Sequence, residues 1–210
     1  MDRLRLGLVG LFVALVAGCV TDGDRTLVIL NNKPPESDCT VPAEEGGFYL
    51  PSGVLDLETS TQPYIFTPIV RSDAEFSAGE PNGNLIFFEG ADVVLEDTAT
   101  DASRALIMAL TENWTGRTHY FSGSVDPGGI AVVKYPLIDR EQANEIAGHI
   151  NAGHVAAPVM VRARSRIFGN IDGSQIASPY FTYPIDICIG CVPLPDPLDM
   201  DDVRCFGDQY

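Results

Sequence analysis

The feature that most constrains the fold of this chain is a two-residue alternation within residues 159–187. The apolar residues at 159, 161, 163 and 167 alternate with Met160 and three arginines, and residues 181–187 repeat the pattern with an aromatic and aliphatic face. A period of two places one set of side chains in a core and the other in solvent. Residues 168–173 are typical of a turn, and the chain returns over residues 174–187. The sequence therefore predicts a half-buried antiparallel hairpin.

Other stretches beyond residue 46 also favour short strands. Residues 62–71 are rich in aromatic and β-branched side chains, and their two prolines indicate an edge strand or a bulge. Residues 84–96 predict a strand bent at Gly90, and residues 117–137 predict a hairpin around the Asp-Pro-Gly-Gly turn at 126–129. These signals predict an all-β fold: an immunoglobulin-like antiparallel β-sandwich with one short helix and a disulfide-stapled C-terminal tail.

The short helix is predicted over residues 139–151. Asp139 is a suitable N-cap, Gln142 stands three positions later, and Gly153 follows the end of the apolar stripe. Residues 101–113 are ambiguous, because their apolar spacing fits a helix capped by Asp101 as well as a short buried strand. A helix is slightly preferred there.

The N-terminus carries the signals of an exported protein. Arg3 and Arg5 precede the apolar residues 6–16. About eleven apolar residues are too few for a hydrocarbon core that needs about twenty, which favours a secretion signal over a membrane span. The signal ends in Val16-Ala17-Gly18-Cys19, which resembles the lipobox of bacterial lipoproteins. An ordinary signal peptide with a chance cysteine at the cleavage site is the alternative.

The lipobox resemblance implies where the mature chain begins and where it resides. Residues 1–18 would be cleaved, and Cys19 would become the lipid-bearing N-terminus. Three acyl chains exceed the two signals that stable membrane anchoring requires. Val20 takes the place of the aspartate that marks inner-membrane retention, which implies the outer membrane, on its periplasmic or cell-surface face. Residues 19–45, acidic and Pro-containing, are expected to form a tether before a folded domain at 46–210.

Four further cysteines predict two disulfides, because their number is even and the chain is exported. The preferred pairing joins one of Cys188 and Cys191 to Cys39 and the other to Cys205. A redox or zinc role for Cys-x-x-Cys is the weaker interpretation. A redox motif should open a helix, whereas this one follows a β-rich run and lies between Pro184 and Pro193, and a zinc site needs a fourth ligand. The strand leading into this motif, with a late cysteine before Gly-Asp-Gln, is similar to the C-terminus of a group of uncharacterised bacterial surface lipoproteins. That similarity covers about the last third of the chain and implies architecture rather than chemistry.

Charge and motifs restrict the function. A net charge of −16 excludes nucleic acid as a partner, since both would be negative. The sequence contains neither a Gly-x-Ser-x-Gly elbow nor a phosphate-binding loop, and no cofactor or catalytic residue is expected. His149 and His154 are five positions apart, which fits neither helical spacing of metal ligands; with His119, they are expected to be surface or capping residues.

One concentration of positive charge stands out. Arg162, Arg164 and Arg166 share one face of the predicted hairpin. They are expected either to pair with acidic residues across the sheet or to contact an anionic glycan or the carboxylates of a partner.

The sequence therefore predicts a non-catalytic outer-membrane lipoprotein. Its membrane contact is the lipid at Cys19, and it would serve as a structural or binding module for an envelope protein or glycan. The alternative is an envelope enzyme or solute-handling lipoprotein whose site is dispersed along the chain, which a deep pocket with convergent titratable residues would support.

Overall fold

A computed structural model of the chain describes residues 26–36, 40–58, 62–75, 84–110 and 112–192. The strands in these ranges are β1 Leu27–Asn32, β2 Gly53–Asp56, β3 Tyr64–Phe66, β4 Pro68–Ser72, β5 Ile86–Asp97, β6 Gly116–Val125, β7 Ile130–Val132, β8 Tyr135–Ile138, β9 Val159–Ile171, β10 Ser174–Ala177 and β11 Phe181–Cys188. The helices are α1 Asp101–Ala109, α2 Glu112–Thr115 and α3 Arg140–Asn151. None of these helices has the length and apolarity needed to cross a membrane.

The first layer is a six-stranded sheet, which we call the large sheet. Its order is β2-β11-β9-β5-β6, with β10 paired to β9. The described pairs are antiparallel except for β2, which runs parallel to β11. Along β9 the apolar positions are buried and the arginines face outward, which confirms the predicted alternation. The predicted turn over residues 168–173 is wrong in its first part: residues 168–171 extend β9 and pair with β10, and the turn is confined to residues 172 and 173. The strand β11 follows after a break at residues 178–180.

The second layer is formed by β1-β4-β7 together with β3-β8. β3 pairs with β8 in the same register that relates β4 to β7: Phe66 faces Tyr135 and Ile69 faces Val132. The two small sheets are therefore one antiparallel pairing interrupted around Thr67. The interruption coincides with Pro68 at the start of β4, where a proline that cannot donate a ladder hydrogen bond is tolerated.

Buried hydroxyl groups connect the two layers. Asn32 Nδ2 donates to Tyr183 Oη at 2.9 Å, and Tyr64 Oη lies 3.2 Å from the same oxygen. Tyr135 Oη lies 2.8 Å from Ser165 Oγ. Burial raises the pKa of Tyr64, Tyr135 and Tyr183 above the usual value, so all three remain neutral donors and acceptors. The predicted immunoglobulin-like β-sandwich is confirmed at the level of two packed, mainly antiparallel β-layers sharing one apolar core.

The predicted hairpin over residues 117–137 is wrong. Its turn exists, with Gly129 N donating to Asp126 O at 2.8 Å and Gly128 at a φ of 67°. However, β6 pairs with β5 and β7 pairs with β4, so the turn carries the chain from one layer to the other. Turn chemistry reverses the chain locally but does not decide which strand each arm will pair with.

The predicted tether over residues 19–45 is wrong where it includes β1. Leu27 and Ile29 are buried, and β1 pairs with β4 from Leu27 to Asn32, with a register shift between Ile29 and Asn31. The apolar side chains of this short segment fill a place in the core that a solvated tether would leave open. The folded domain therefore begins before residue 46.

The helices agree with the sequence in part. α3 begins after Asp139 with the predicted capping box: Gln142 N donates to Asp139 Oδ1 at 2.8 Å, and Asp139 N donates to Gln142 Oε1 at 2.9 Å. The preferred helix at residues 101–113 is confirmed as α1, but its N-cap is Thr100 rather than Asp101. With α1 and α2 present, the expectation of a single short helix is corrected.

Candidate functional site

The solvent-facing side of the large sheet, which we call the outer face, presents a concentration of charged and aromatic side chains. The outward positions of β9 place three arginines beside acidic residues of β5, because the register aligns Arg166 with Asp92 and Arg162 with Glu96. Aromatic rings flank this row on both sides. The outer face is defined by Glu89, Asp92, Glu96, Tyr120, Arg162, Arg164, Arg166, Phe168, Gln175 and Tyr180.

The arginines form an ion-pair ladder with β5. Arg166 Nε and Nη2 lie 3.0 and 2.9 Å from Asp92 Oδ2, and Arg164 Nη1 lies 2.8 Å from Glu96 Oε1. Arg162 Nε donates to the carbonyl oxygen of Asp97 at 3.0 Å. Of the two predicted alternatives for these arginines, pairing across the sheet is therefore present in the structure.

The Tyr180 ring contacts the ion-pair ladder from the side of β11. The guanidinium carbons of Arg164 and Arg166 lie 4.4 and 5.1 Å from the centroid of its ring. Partly exposed ion pairs contribute about 0–1 kcal/mol each to stability. Their main consequence is a fixed orientation of the planar charged groups at the surface.

A shallow groove opens at the end of the ladder that adjoins β6 and β10. Its volume is about 410 Å³, and its lining includes Asp92, Tyr120, Arg166, Phe168 and Gln175. The Tyr120 side chain is 81% exposed and meets Phe168 edge to face, with 6.2 Å between the ring centroids. The groove thus combines two aromatic surfaces with oriented hydrogen-bonding groups.

Gly90 makes the position of Phe168 possible. A Cβ atom at residue 90 would collide with the His119 carbonyl oxygen and lie 2.8 Å from the Phe168 ring. The hydrogen-bonded pairing of β5 with β6 and with β9 also shifts register between Phe88 and Gly90. The predicted bend at Gly90 is therefore a β-bulge that lets an aromatic ring lie close to the strand.

Sequence reasoning found the arginines but missed the groove. Tyr120 faces outward because it alternates with His119 and Phe121 along β6, a signal that period-two counting could have detected. The pairing of β6 with β5, which brings Tyr120 beside Phe168, could not be deduced because residues 117–137 favoured a local hairpin.

The cysteines are placed only in part. Cys188 is bonded to Cys191, with 5.9 Å between their Cα atoms, which overturns the preferred pairing of these two residues with Cys39 and Cys205. Three backbone N–H groups around this disulfide donate to the Asp56 carboxylate: Gly190 and Val192 at 2.8 Å, and Glu58 at 3.0 Å. Cys19, Cys39 and Cys205 lie outside the described residues.

The Asp56 carboxylate stabilises the loop as an anion. Burial works to raise its pKa, but the backbone N–H donors, those of Val192 and Glu58 foremost, outweigh burial and lower the pKa below the ordinary value. Its oxygen and the two sulfur atoms lie within 4.8 Å of one another. A buried anion at this distance disfavours a thiolate, so the arrangement favours a structural disulfide over a reactive one.

The three histidines occupy two places. His119 lies on β6, where burial and the neighbouring Arg117 lower its pKa despite Asp139. His149 and His154 lie at the end of α3. Their spacing of five fits neither helical spacing of metal ligands, yet their Nδ1 atoms are 3.5 Å apart.

Comparisons with known proteins give no functional information. No protein-family model and no curated protein matches this chain. Among solved structures, one described as a crystal structure of a protein from Archaeoglobus fulgidus is similar at a TM-score of 0.36, with 13% identity over 65% of this chain and 93% of that one. The ASH/PapD-like domain 7 of human CEP192 is similar at a TM-score of 0.32, with 5% identity over 90% of this chain and 96% of that one. At these TM-scores neither likeness carries an argument.

Proposed function

We propose that this chain is a lipid-anchored, non-catalytic module of the bacterial outer membrane that binds glycan through its outer face. The observation that carries the binding proposal is the groove between Tyr120 and Phe168, beside the Arg166–Asp92 ion pair. A sugar ring presents C–H groups that pack on an aromatic surface, while its hydroxyl groups accept from a guanidinium and donate to a carboxylate or amide.

The existing ion pairs support a rigid binding surface. Arg166 and Asp92 are already held by each other, by Tyr180 and by Thr118, whose Oγ1 lies 2.8 Å from Asp92 Oδ1. A ligand therefore does not have to order these side chains, which removes part of the entropy cost of binding.

Charge favours a neutral glycan over an anionic one. The arginines that could attract an anion have carboxylate or carbonyl partners, and the chain carries a net charge of −16. Long-range repulsion lowers the rate at which anionic ligands reach such a surface.

An array of immobilised neutral and anionic envelope glycans tests this proposal. We expect the full-length protein to bind neutral glycans preferentially, and Tyr120→Ala to weaken binding about 30-fold or more, since truncating an aromatic hot-spot residue costs at least about 2 kcal/mol. Met108→Ala is the matched control, because Met108 is 78% exposed on α1 and lies outside the outer face. Equal binding by wild type and Tyr120→Ala would refute the outer face as the site.

The lipid anchor is tested separately at Cys19. By the lipobox resemblance, mass spectrometry of the mature protein should find a chain that starts at residue 19 and carries acyl chains. Cys19→Ser should move the protein from the membrane fraction to the soluble fraction, because the apolar chains that hold it are lost. An unacylated mature chain would overturn this part of the proposal while leaving glycan binding open.

A further inference from the structure

We propose that His149 and His154 form a binding site for a divalent transition-metal ion, represented by Zn²⁺, at the C-terminal end of α3. The site is independent of the outer face and of the proposed glycan binding. Imidazole nitrogen is a preferred ligand of Zn²⁺, Ni²⁺ and Cu²⁺.

The backbone at the end of α3 brings the two histidines together. His154 N donates to the His149 carbonyl oxygen at 3.0 Å, and Gly153 N donates to the Ile150 carbonyl oxygen at 2.9 Å. Gly153 has a φ of 73°. This pair of hydrogen bonds around a left-handed glycine is a Schellman motif, in which the residues at the positions of His149 and His154 characteristically have their side chains in contact. A spacing of five is therefore a ligand spacing when the helix ends between the two residues.

The distance between the ring nitrogens fits a shared metal ion. With Zn–N bonds of about 2.0–2.1 Å and tetrahedral angles, two nitrogen ligands lie about 3.3–3.4 Å apart. The Nδ1 atoms of His149 and His154 are 3.5 Å apart. The His154 side chain is exposed, so water can complete the coordination shell.

Glu145 selects the nitrogen of His149 that faces the metal. Its Oε1 atom lies 3.4 Å from His149 Nε2, which is buried and has no hydrogen-bond partner among the described residues. The neutral tautomer with its proton on Nε2, beside this carboxylate, has its lone pair on Nδ1, the atom that lies 3.5 Å from His154 Nδ1. Metal-binding histidines usually donate their second ring N–H to a carboxylate, and Glu145 is the carboxylate that lies beside Nε2 of His149.

The electrostatic surroundings also favour a cation. The site lies at the C-terminus of a twelve-residue helix, where the macrodipole is negative. The Glu145 carboxylate adds a full negative charge beside His149.

Calorimetric titration of the metal-free full-length protein with Zn²⁺ tests this inference. We expect saturable binding by wild type, at least a tenfold loss of affinity in His154→Ala, and about a 10- to 100-fold loss in Glu145→Gln, the usual effect of removing such a carboxylate. His119→Ala should bind as wild type does, because His119 lies on β6. His154 is exposed, so its substitution should leave the fold intact.

Other Zn²⁺ sites on this acidic chain would contribute equally to wild type and His154→Ala, so the difference between them reports the proposed site. A second readout is the nitrogen NMR spectrum of the histidine rings, in which Zn²⁺ should shift the Nδ1 signals of His149 and His154 and leave those of His119 unchanged. The same Zn²⁺ affinity in His154→Ala and wild type, or shifts confined to Nε2, would overturn the proposal.

Discussion

At the scale of single residues, Asp56 shows how one buried carboxylate can organise a loop. It accepts three backbone hydrogen bonds from residues that adjoin β2 or follow β11, next to the Cys188–Cys191 disulfide. Its role could not be predicted from the sequence because two of the three donors, the N–H groups of Gly190 and Val192, lie 134 and 136 positions away, and no side-chain pattern marks them. The predicted cysteine pairing was wrong for a related reason, because disulfide connectivity depends on which Cβ atoms the fold brings together.

Asp56→Asn should lower the free energy of unfolding at neutral pH by about 1–3 kcal/mol, because one N–H group then faces an amide donor or loses its acceptor. Since folding lowers the pKa of Asp56, its contribution is present above the unfolded value of about 4 and lost as pH falls through the folded pKa. Denaturant titrations at pH 7 and pH 3 should therefore differ less for the variant than for wild type.

The exposed Asp172, in the turn between β9 and β10, provides the control for this substitution. Asp172→Asn should unfold as wild type does at both pH values, because asparagine tolerates the left-handed backbone there. An unchanged unfolding midpoint in Asp56→Asn would contradict the stabilising role.

At the scale of elements, β9 is the strand that the sequence describes best. Its two-residue alternation places one face in the core and the other in solvent. A shift of register by one residue would move every buried side chain to the solvent face, so the register is strongly specified. β6 and β7 show the limit of such reasoning. Their turn is correctly placed, but their partners lie in different layers, and that choice depends on packing across the whole sandwich.

Gly90→Ala tests the bulge in β5. We expect a loss of about 1–3 kcal/mol in the free energy of unfolding, the usual cost of forcing atoms into a packed site, together with weaker glycan binding as Phe168 moves. Gly148→Ala in α3 is the matched control, because no atom outside the adjacent residues and the nearby backbone of its own helix lies within 4 Å of its added Cβ. That change should stabilise the protein by about 0.5–1 kcal/mol. Equal stability of the two variants would argue against a close-packed bulge.

At the scale of the whole molecule, composition and the N-terminal signal predict an exported, acidic, β-rich protein, and the two-layer sandwich confirms the β-rich part. The outer face could be identified only from the structure, because it combines residues of β5, β6, β9 and β10 with Tyr180 beside β11. Alternation along one strand indicates which side chains face outward, but not which strands lie next to one another.

The most direct test of the proposed function is an NMR titration of isotope-labelled protein with the neutral glycan that binds best on the array. We predict saturable shifts centred on Tyr120, Phe168 and Gln175, with little change at Met108 on α1. Shifts that saturate elsewhere and leave these three residues unaffected would contradict the assignment of the outer face as the glycan-binding surface.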